Sequence, residues 1–232
     1  MTGIVILSRY KSSRLPGKAL MNLSGKPVLQ LIIERLLQVV TLAQIVVATS
    51  DEASDDLIAK FCKDYGVSCY RGSLANVAER FYKAAAEKQW QYAVRINGDN
   101  VFVDIKLLAA MLEVAETGKY DFVSNVKERT FPKGMSIEIV SIPFFKSQLP
   151  IITSSDAYQE HVTLGLYEQK LGRQYHFFNR TLPEASGLQM ALDTPDDFTR
   201  TEKIMSRFVQ PHWLYNLEEI ITIWKKIDHE PL

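Results

Sequence analysis

Short apolar runs alternate with segments of helical periodicity along the first half of the chain. Runs rich in β-branched residues predict buried strands at 4–7, 44–50, 67–70, 92–96 and 122–124. Apolar residues at helical spacing predict helices between them, over the segments 28–40, 51–65, 76–88 and 105–116. This alternation predicts an α/β fold with a mostly parallel sheet and helices on both faces.

The second half of the chain is less regular. Residues 136–142 predict a strand in a hairpin, and segments 156–171, 194–208 and 217–226 predict helices. Since no repeat, low-complexity tract or linker interrupts the pattern, we expect one domain over residues 1–232.

The charge balance narrows the classes of partner. The 27 Lys and Arg residues match the 27 Asp and Glu residues, so no basic excess is available for nucleic acid, whose binding depends on many cations. No run of about 18 apolar residues predicts a membrane span, and the N-terminus lacks the pattern of a signal peptide. Cys62 and Cys69 fit neither a zinc site nor a disulfide scaffold. We therefore expect a cytoplasmic protein without nucleic-acid or membrane partners.

A cation-rich loop follows the first predicted strand. Residues 8–18 contain four Lys and Arg residues together with Ser12, Ser13 and Gly17. Small residues let the backbone turn tightly and aim amides at an anion, and the cations add charge-assisted contacts. The GxxxxGK[ST] pattern of a Walker A loop is absent. The loop is therefore either a phosphate-binding site or an exposed basic loop, and the spacing of its residues favours the phosphate-binding site.

Two carboxylates are candidate magnesium ligands. Asp99 follows the fourth predicted strand in the sequence RINGD, where a carboxylate can hold a metal beside phosphate oxygens, although a simple turn explains the same residues. Asp193 precedes Thr194 and Pro195, and either Asp193 or Thr194 suits a helix cap. Because the metal needs several oxygen ligands, Asp193 becomes a candidate only if the fold brings it to Asp99.

These motifs occur together in the order typical of one family. SSRLPGK at 12–18, after an N-terminal strand, resembles the nucleotide signature of the sugar-activating nucleotidyltransferases. The similarity is nearest to the cytidylyltransferases that resemble the spore-coat polysaccharide synthesis protein SpsF, with the CMP-sialate and CMP-Kdo synthetases as relatives. The further matches are VVATSD at 46–51, YRGS at 70–73, RINGD at 95–99, VSN at 123–125, EHVT at 160–163 and LDTPDD at 192–197.

The resemblance implies a Rossmann-like nucleotidyltransferase fold that uses CTP and Mg²⁺ in polysaccharide biosynthesis. It assigns catalysis to Arg14, Lys18 and Asp99, and metal binding to Asp99 and Asp193. The nucleotide-binding residues that it implies are Ser8, Arg9, Ser12, Ser13, Arg14, Lys18, Ala48, Thr49, Ser50, Arg71, Gly72, Ser73 and Asn97.

The resemblance also implies an acceptor side, where the sequence departs from the family. The implied acceptor-binding residues are Arg129, Lys133, Ser136, Glu138 and His161. Segment 130–150 is expected to form a hairpin that contributes to a homodimer. Asn100 and Val101 replace the family's Cys-Pro, and Ser136 replaces its Asp. Loss of a carboxylate near Lys133 suits an anionic acceptor, such as a sugar acid or a molecule with a phosphate or phosphonate.

The sequence therefore predicts a cytidylyltransferase that transfers CMP from CTP to an anionic acceptor and releases pyrophosphate. Such an acceptor needs positioning and charge neutralisation more than a strong base. Two alternatives remain. A glycosyltransferase using a nucleotide-sugar rarely carries the RLPGK loop. The second alternative is a degenerate nucleotide-binding regulatory subunit. The presence of all the implied charged site residues argues against it, namely Arg14, Lys18, Asp99 and Asp193.

Overall fold

A seven-stranded sheet forms the centre of the computed structural model, which describes residues 1–228. Its order is β5-β4-β1-β6-β8-β7-β9, and β2 pairs with β3 in a separate hairpin. Strand β8 runs antiparallel to both of its neighbours, and the other pairs in the large sheet are parallel. The strands are β1 (Thr2–Leu7), β2 (Asn22–Leu23), β3 (Lys26–Pro27), β4 (Ile45–Ser50), β5 (Ser68–Gly72), β6 (Tyr92–Asn97), β7 (Phe122–Ser124), β8 (Glu138–Ser141) and β9 (Gln174–His176).

Helices cover both faces of this sheet. None of those within residues 1–228 has the length and apolar character needed to cross a membrane. The helices are α1 (Val28–Leu36), α2 (Asp56–Tyr65), α3 (Val77–Glu87), α4 (Ile105–Glu116), α5 (Ile142–Ile152), α6 (Asp156–Glu160), α7 (Leu164–Glu168), α8 (Pro195–Met205) and α9 (Leu217–Asp228).

Two apolar layers result, because successive side chains of a strand point to opposite faces. Ile4 and Ile6 pack into the layer formed with α1, α2, α4, α8 and α9. Val5 and Leu7 pack into the layer formed with α3, α5 and α7. Burial on both faces explains why the central strands are continuous apolar runs. The predicted parallel sheet with helices on both faces is confirmed.

The carboxyl ends of β1 and β6 approach each other very closely. The Gly98 amide donates to the Leu7 carbonyl at 2.8 Å. A Cβ at Gly98 would lie 2.8 Å from Ser8 Oγ, so the close approach requires a glycine. This contact holds the turn that carries Asp99 against the start of the 8–18 loop.

The segment 130–150 differs from the prediction. The expected strand is observed at Glu138–Ser141, but it lies inside the main sheet between β6 and β7. It pairs antiparallel with β7, the strand before it in the sequence, so the other arm of the hairpin is 122–124 and lies outside 130–150. The residues after β8 form α5. The physical reason is that β8 is buried along its whole length, which a projecting hairpin would not allow. The dimer contact expected of this segment stays a prediction.

The helix expected over 156–171 is divided. Helices α6 and α7 flank Val162, which is buried at a φ of 46°. A β-branched residue rarely adopts this left-handed conformation. The next residue, Thr163, donates its hydroxyl to Glu138 at 2.8 Å, and this tertiary contact outweighs local helical propensity.

Residues 133 and 134 pack against the backbone that leads to Asp193. The Lys133 amide donates to the Leu188 carbonyl at 2.8 Å, and its carbonyl accepts from the Met190 amide at 2.9 Å. Gly134 has a φ of 90°, and a Cβ there would lie 2.4 Å from the Ala191 nitrogen. Both the conformation and the space therefore require a glycine.

We expect Gly134→Ala to lower the free energy of unfolding by about 2–5 kcal/mol, because left-handed strain and overpacking add. Gly118→Ala is the matched control, since Gly118 has a φ of 71° and open space around its Cβ. In Gly118→Ala the free energy of unfolding should fall only by the left-handed strain, about 1–2 kcal/mol. Urea unfolding of both variants measures the difference, and equal losses would show that the contact with Ala191 has no energetic weight.

Candidate active site

One ammonium group joins two carboxylates at the carboxyl edge of the sheet. Lys18 Nζ lies 2.6 Å from Asp99 Oδ2 and 3.4 Å from Asp193 Oδ1. It also donates to the Leu192 carbonyl at 2.7 Å. The Lys18 side chain is only 14% exposed, so these charges interact in a medium less polar than bulk water. Three motifs that are distant in sequence therefore meet at one point.

Thr194, rather than Asp193, caps helix α8. The Thr194 hydroxyl accepts from the Asp197 amide at 3.2 Å, and the Asp197 carboxylate accepts from the Thr194 amide at 2.9 Å. This reciprocal capping box satisfies the helix terminus. The Asp193 carboxylate instead contacts Lys18, and Arg14 Nη2 lies 3.1 Å from its Oδ1. The cap and the candidate metal ligand are thus two different residues.

A buried carboxylate anchors the 8–18 loop. Asp55 Oδ1 accepts from the Tyr10 amide at 2.7 Å, and Oδ2 accepts from the Thr49 hydroxyl and the Ser50 amide, both at 2.8 Å. Burial alone would raise the pKa of Asp55, but these hydrogen bonds outweigh burial and hold the pKa below its usual value. Asp55 therefore stays ionised and fixes the beginning of the loop. No motif in the sequence marked this residue.

A cavity of about 740 Å³ opens beside Lys18. Arg9 Nη2 pairs with Glu160 Oε1 at 3.2 Å and links the loop to α6 beside this cavity. Predicted residues of all three kinds, for the nucleotide, the metal and the acceptor, line this one space. Those that line the cavity are Ser8, Arg9, Ser12, Ser13, Arg14, Lys18, Asn97, Asp99, Arg129, Lys133, Ser136, Glu138, His161 and Asp193.

The remaining predicted nucleotide-binding residues do not line this cavity. They are Ala48, Thr49, Ser50, Arg71, Gly72 and Ser73. Thr49 and Ser50 are buried and bind Asp55. The Arg71 guanidinium donates to the Ser50 carbonyl at 3.0 Å and pairs with Asp56 at 2.6 Å. These contacts hold β4, β5 and α2 together, and the role of the six residues in nucleotide binding stays a prediction.

Other cavity residues were missed from the sequence. They are Arg80, Arg95, Lys127, Thr163 and Tyr167. Arg95 had a usable signal, because it lies two positions before Asn97 on β6 and therefore faces the same side of the sheet. Arg80 is 3% exposed and donates through Nη1 to the Ser73 carbonyl at 2.7 Å. No motif marks Arg80, whose position depends on the packing of α3.

The cavity is positively charged although the chain as a whole is neutral. Lys and Arg outnumber Asp and Glu by two to one among the lining residues. Each lining carboxylate pairs with a lining cation. Within residues 1–228, the lining cations without an ion pair are Arg80, Lys127, Arg129 and Lys133. The cavity therefore has positive charge available for anionic ligands.

The two departures from the family pattern meet in the structure. The side chain of Asn100, which is 2% exposed, donates to the Ser136 carbonyl at 3.1 Å. Arg129 Nη1 lies 3.4 Å from Ser136 Oγ. A carboxylate in place of Ser136 would pair with Arg129. The serine therefore leaves that cation available to the cavity.

The donor set at Lys18 fits Mg²⁺. Asp99 and Asp193 both contact one ammonium group, so their carboxylates already converge on a position held by a cation. Mg²⁺ usually takes one or two carboxylates and fills its other positions with water and substrate phosphates. The part of the chain that the structure describes has no metal-ligating group of three or more His, Cys, Asp and Glu side chains.

Comparison with known proteins gives concordant matches. The family described as cytidylyltransferase matches residues 3–210. The spore coat polysaccharide biosynthesis protein SpsF of Bacillus subtilis is 30% identical over 203 residues, which are 84% of this chain and 82% of that protein. A 3-deoxy-manno-octulosonate cytidylyltransferase of Methylococcus capsulatus is 38% identical over 117 residues, which are 47% of this chain and 43% of that protein.

A solved structure agrees with these matches over the whole chain. A cytidylyltransferase from Leptospira borgpetersenii serovar Hardjo-bovis superposes with a TM-score of 0.90 at 26% identity, covering 100% of this chain and 98% of that one. The family match spans both the Lys18 loop and the Asp193 segment. Sequence and fold agree, and the chain belongs to the cytidylyltransferase family of nucleotidyltransferase enzymes.

Proposed function

We propose that the protein transfers CMP from CTP to a small anionic acceptor and releases pyrophosphate. The observation that carries this proposal is the convergence of Lys18, Asp99 and Asp193 beside the cation-rich 8–18 loop. The names of two relatives, a spore coat polysaccharide biosynthesis protein and a 3-deoxy-manno-octulosonate cytidylyltransferase, support an acceptor destined for polysaccharide.

The 8–18 loop is positioned to receive the triphosphate. Ser12, Ser13 and Arg14 line the cavity next to Lys18. The Arg14 side chain is 63% exposed, and its one ion pair within residues 1–228 is with Asp193, so it can move to a phosphate oxygen at little cost. Lys18 is held more tightly and supplies a fixed positive charge. The triphosphate oxygens would compete with the two carboxylates for these cations.

The reaction forms one bond and breaks one. An acceptor oxygen forms a bond to the α-phosphorus of CTP. The bond from that phosphorus to the bridging oxygen breaks, and its electron pair leaves with pyrophosphate. An attacking oxygen of a phosphate or phosphonate has no proton to lose, so such an acceptor needs no general base. An attacking hydroxyl of a sugar acid would release its proton to water. Arg14 and Lys18 stabilise the charge that gathers on pyrophosphate, and the cavity holds both reactants in line.

Asp99 and Asp193 are the residues that would hold Mg²⁺. The ion, when bound, supplies neutralisation of phosphate oxygens beyond what the side chains provide. The role of the chain is to keep both carboxylates converged, through Lys18 and through the backbone bond from the Leu192 amide to the Asp99 carbonyl at 3.2 Å. Gln189 also donates to Asp193 Oδ2 at 3.2 Å and fixes its orientation.

The acceptor enters at the end of the cavity formed by the segment 126–136. Lys127, Arg129 and Lys133 supply cations there that have no ion pair within the described chain. These charges favour an anionic acceptor and reduce its repulsion from the triphosphate. His161 is exposed on the α6 side of the same cavity.

We expect pyrophosphate release with CTP, Mg²⁺ and an acceptor drawn from sugar acids, phosphosugars and small phosphonates. Turnover with ATP should be lower by about a hundredfold, because the family resemblance implies a pocket for a pyrimidine base, whose polar groups adenine would leave unpaired. An enzyme-coupled pyrophosphate assay measures both rates. Equal rates with ATP would contradict CTP use, and consumption of a nucleotide-sugar without pyrophosphate would indicate a glycosyltransferase.

We expect Asp99→Asn and Asp193→Asn each to lower kcat by about a hundredfold or more, because the amide keeps the size of the side chain but removes the charge that binds a cation. Asp121→Asn is the matched control. Asp121 also pairs with a cation, Arg173 at 3.1 Å, but does not line the cavity.

Steady-state rates at limiting and saturating Mg²⁺ compare the three variants, and thermal unfolding confirms that each is folded. The control should keep its full rate. Near-normal turnover of the Asp193 variant at limiting Mg²⁺ would show that Asp193 does not bind the metal and only precedes the residue that caps α8.

A further inference from the structure

A cluster of polar side chains lies under the cavity in a layer that is otherwise apolar. Glu138 on β8 is paired in register with Arg95 on β6 and with Ser124 on β7. Glu138 is 2% exposed. Its neighbours on the same face include the fully buried Phe122 and Val140. A buried charge in such surroundings is costly unless it is paired and hydrogen-bonded.

Both carboxylate oxygens of Glu138 are occupied. Oε1 accepts from the Thr163 hydroxyl and from the Tyr167 hydroxyl, each at 2.8 Å. Oε2 accepts from Arg95 Nη1 in an ion pair. Burial and the charge of Glu138 raise the pKa of Tyr167 well above its usual value, so the phenol remains a donor. Glu138 thus spends three of its lone pairs on partners within the protein, and its direct contact with the acceptor stays a prediction.

Arg95 keeps donors that this network does not use. Its side chain is 16% exposed and lines the cavity. Within residues 1–228, Nη1 binds Glu138, the buried Nε has no hydrogen-bond partner, and neither has Nη2, which is not buried and so is the donor open to the cavity. A guanidinium carries five N–H donors in a rigid fork that matches carboxylate and phosphate groups. The arrangement therefore presents an incompletely satisfied guanidinium to the cavity.

Stability alone does not account for this cluster. Replacing a buried ion pair by apolar side chains of similar volume is often neutral or stabilising. The turn that brings Thr163 to Glu138 also places the β-branched Val162 at a φ of 46°, a conformation that costs free energy and is found mainly near functional sites. The fold thus tolerates both a buried ion pair and a strained turn in order to hold Arg95 in place.

We propose that Arg95 binds an oxyanion of the acceptor, either a carboxylate or a phosphate, and that Glu138, Thr163 and Tyr167 are its positioning residues. The inference rests on the proposed function in taking this part of the cavity as the acceptor side. Arg95 lies two residues before Asn97 and four before Asp99 along β6 and its turn. It would anchor the acceptor at a fixed distance from the candidate metal ligands.

The test uses the full chain saturated with a CTP analogue that has a methylene group between the α- and β-phosphates. Inorganic phosphate and pyruvate are titrated as separate probes of the oxyanion site, by calorimetry. The first variant is Arg95→Met with Glu138→Leu, which replaces the ion pair by apolar side chains. The second is Tyr167→Phe, which removes one hydroxyl. The matched control is Arg173→Met with Asp121→Leu, an ion pair that does not line the cavity.

We expect saturable binding of at least one probe to the wild type and the control. Binding should weaken about tenfold or more in the Arg95 double variant, as for loss of a bidentate charged contact, and about threefold in Tyr167→Phe. All variants should keep the affinity for the CTP analogue, and thermal unfolding should show that they are folded. Tighter binding of phosphate than pyruvate identifies a phosphate-type acceptor, and the reverse identifies a sugar acid.

Unchanged probe binding in a folded Arg95 double variant would overturn the inference, and so would the absence of saturable binding to the wild type. Unchanged binding in Tyr167→Phe would overturn the positioning role. These results do not bear on whether the protein transfers CMP, because the pyrophosphate assay tests that reaction separately. Loss of affinity for the CTP analogue in the Arg95 double variant would assign Arg95 to the nucleotide and overturn its place on the acceptor side.

Discussion

The contact between Lys18 and the carboxylates of Asp99 and Asp193 is the constraint on which the site depends. Two carboxylates near one another repel unless a cation lies between them, and the ammonium group supplies that cation at 2.6 Å and 3.4 Å. Close backbone packing at Gly98 and at Gly134 brings the three segments together. The same geometry that stabilises the protein therefore prepares a position where a metal ion and phosphate oxygens can replace the ammonium contacts.

Side chains behind the cavity hold the ones that face it. Asp55 fixes the start of the 8–18 loop through the Tyr10 amide, and Glu138 fixes Arg95. Each of these acids is buried and accepts several hydrogen bonds, so its charge is stabilised within the protein. Every carboxylate that lines the cavity therefore has a cation as its partner, whereas several lining cations have no ion pair within residues 1–228. This excess of positive charge is local, because the chain has no net charge.

The sequence predicted the sheet well because apolar runs and helical periodicity report burial directly. Asp99 and the Lys18 loop meet because β6 and β1, which precede them, are neighbouring parallel strands. The sequence could not show features that depend on tertiary contacts. Arg71 binds Ser50 and Asp56 and so joins β5 to β4 and α2. Arg80 belongs to no motif, and the break at Val162 follows from the contact of Thr163 with Glu138, 25 residues away in sequence. The sequence did not predict helix α5, because prolines at its start and in its interior are unfavourable for a helix.

The central claim is that Asp99 and Asp193 form one cation site beside the triphosphate loop. Anomalous diffraction from crystals grown with CTP analogue and Mn²⁺ in place of Mg²⁺ tests it most directly. The account predicts an anomalous peak within about 2.3 Å of an oxygen from each carboxylate and of a phosphate oxygen, as expected for a small divalent cation. Lys18 should then contact the phosphates. A nucleotide bound with no peak there, and with Lys18 still between the two carboxylates, would contradict it.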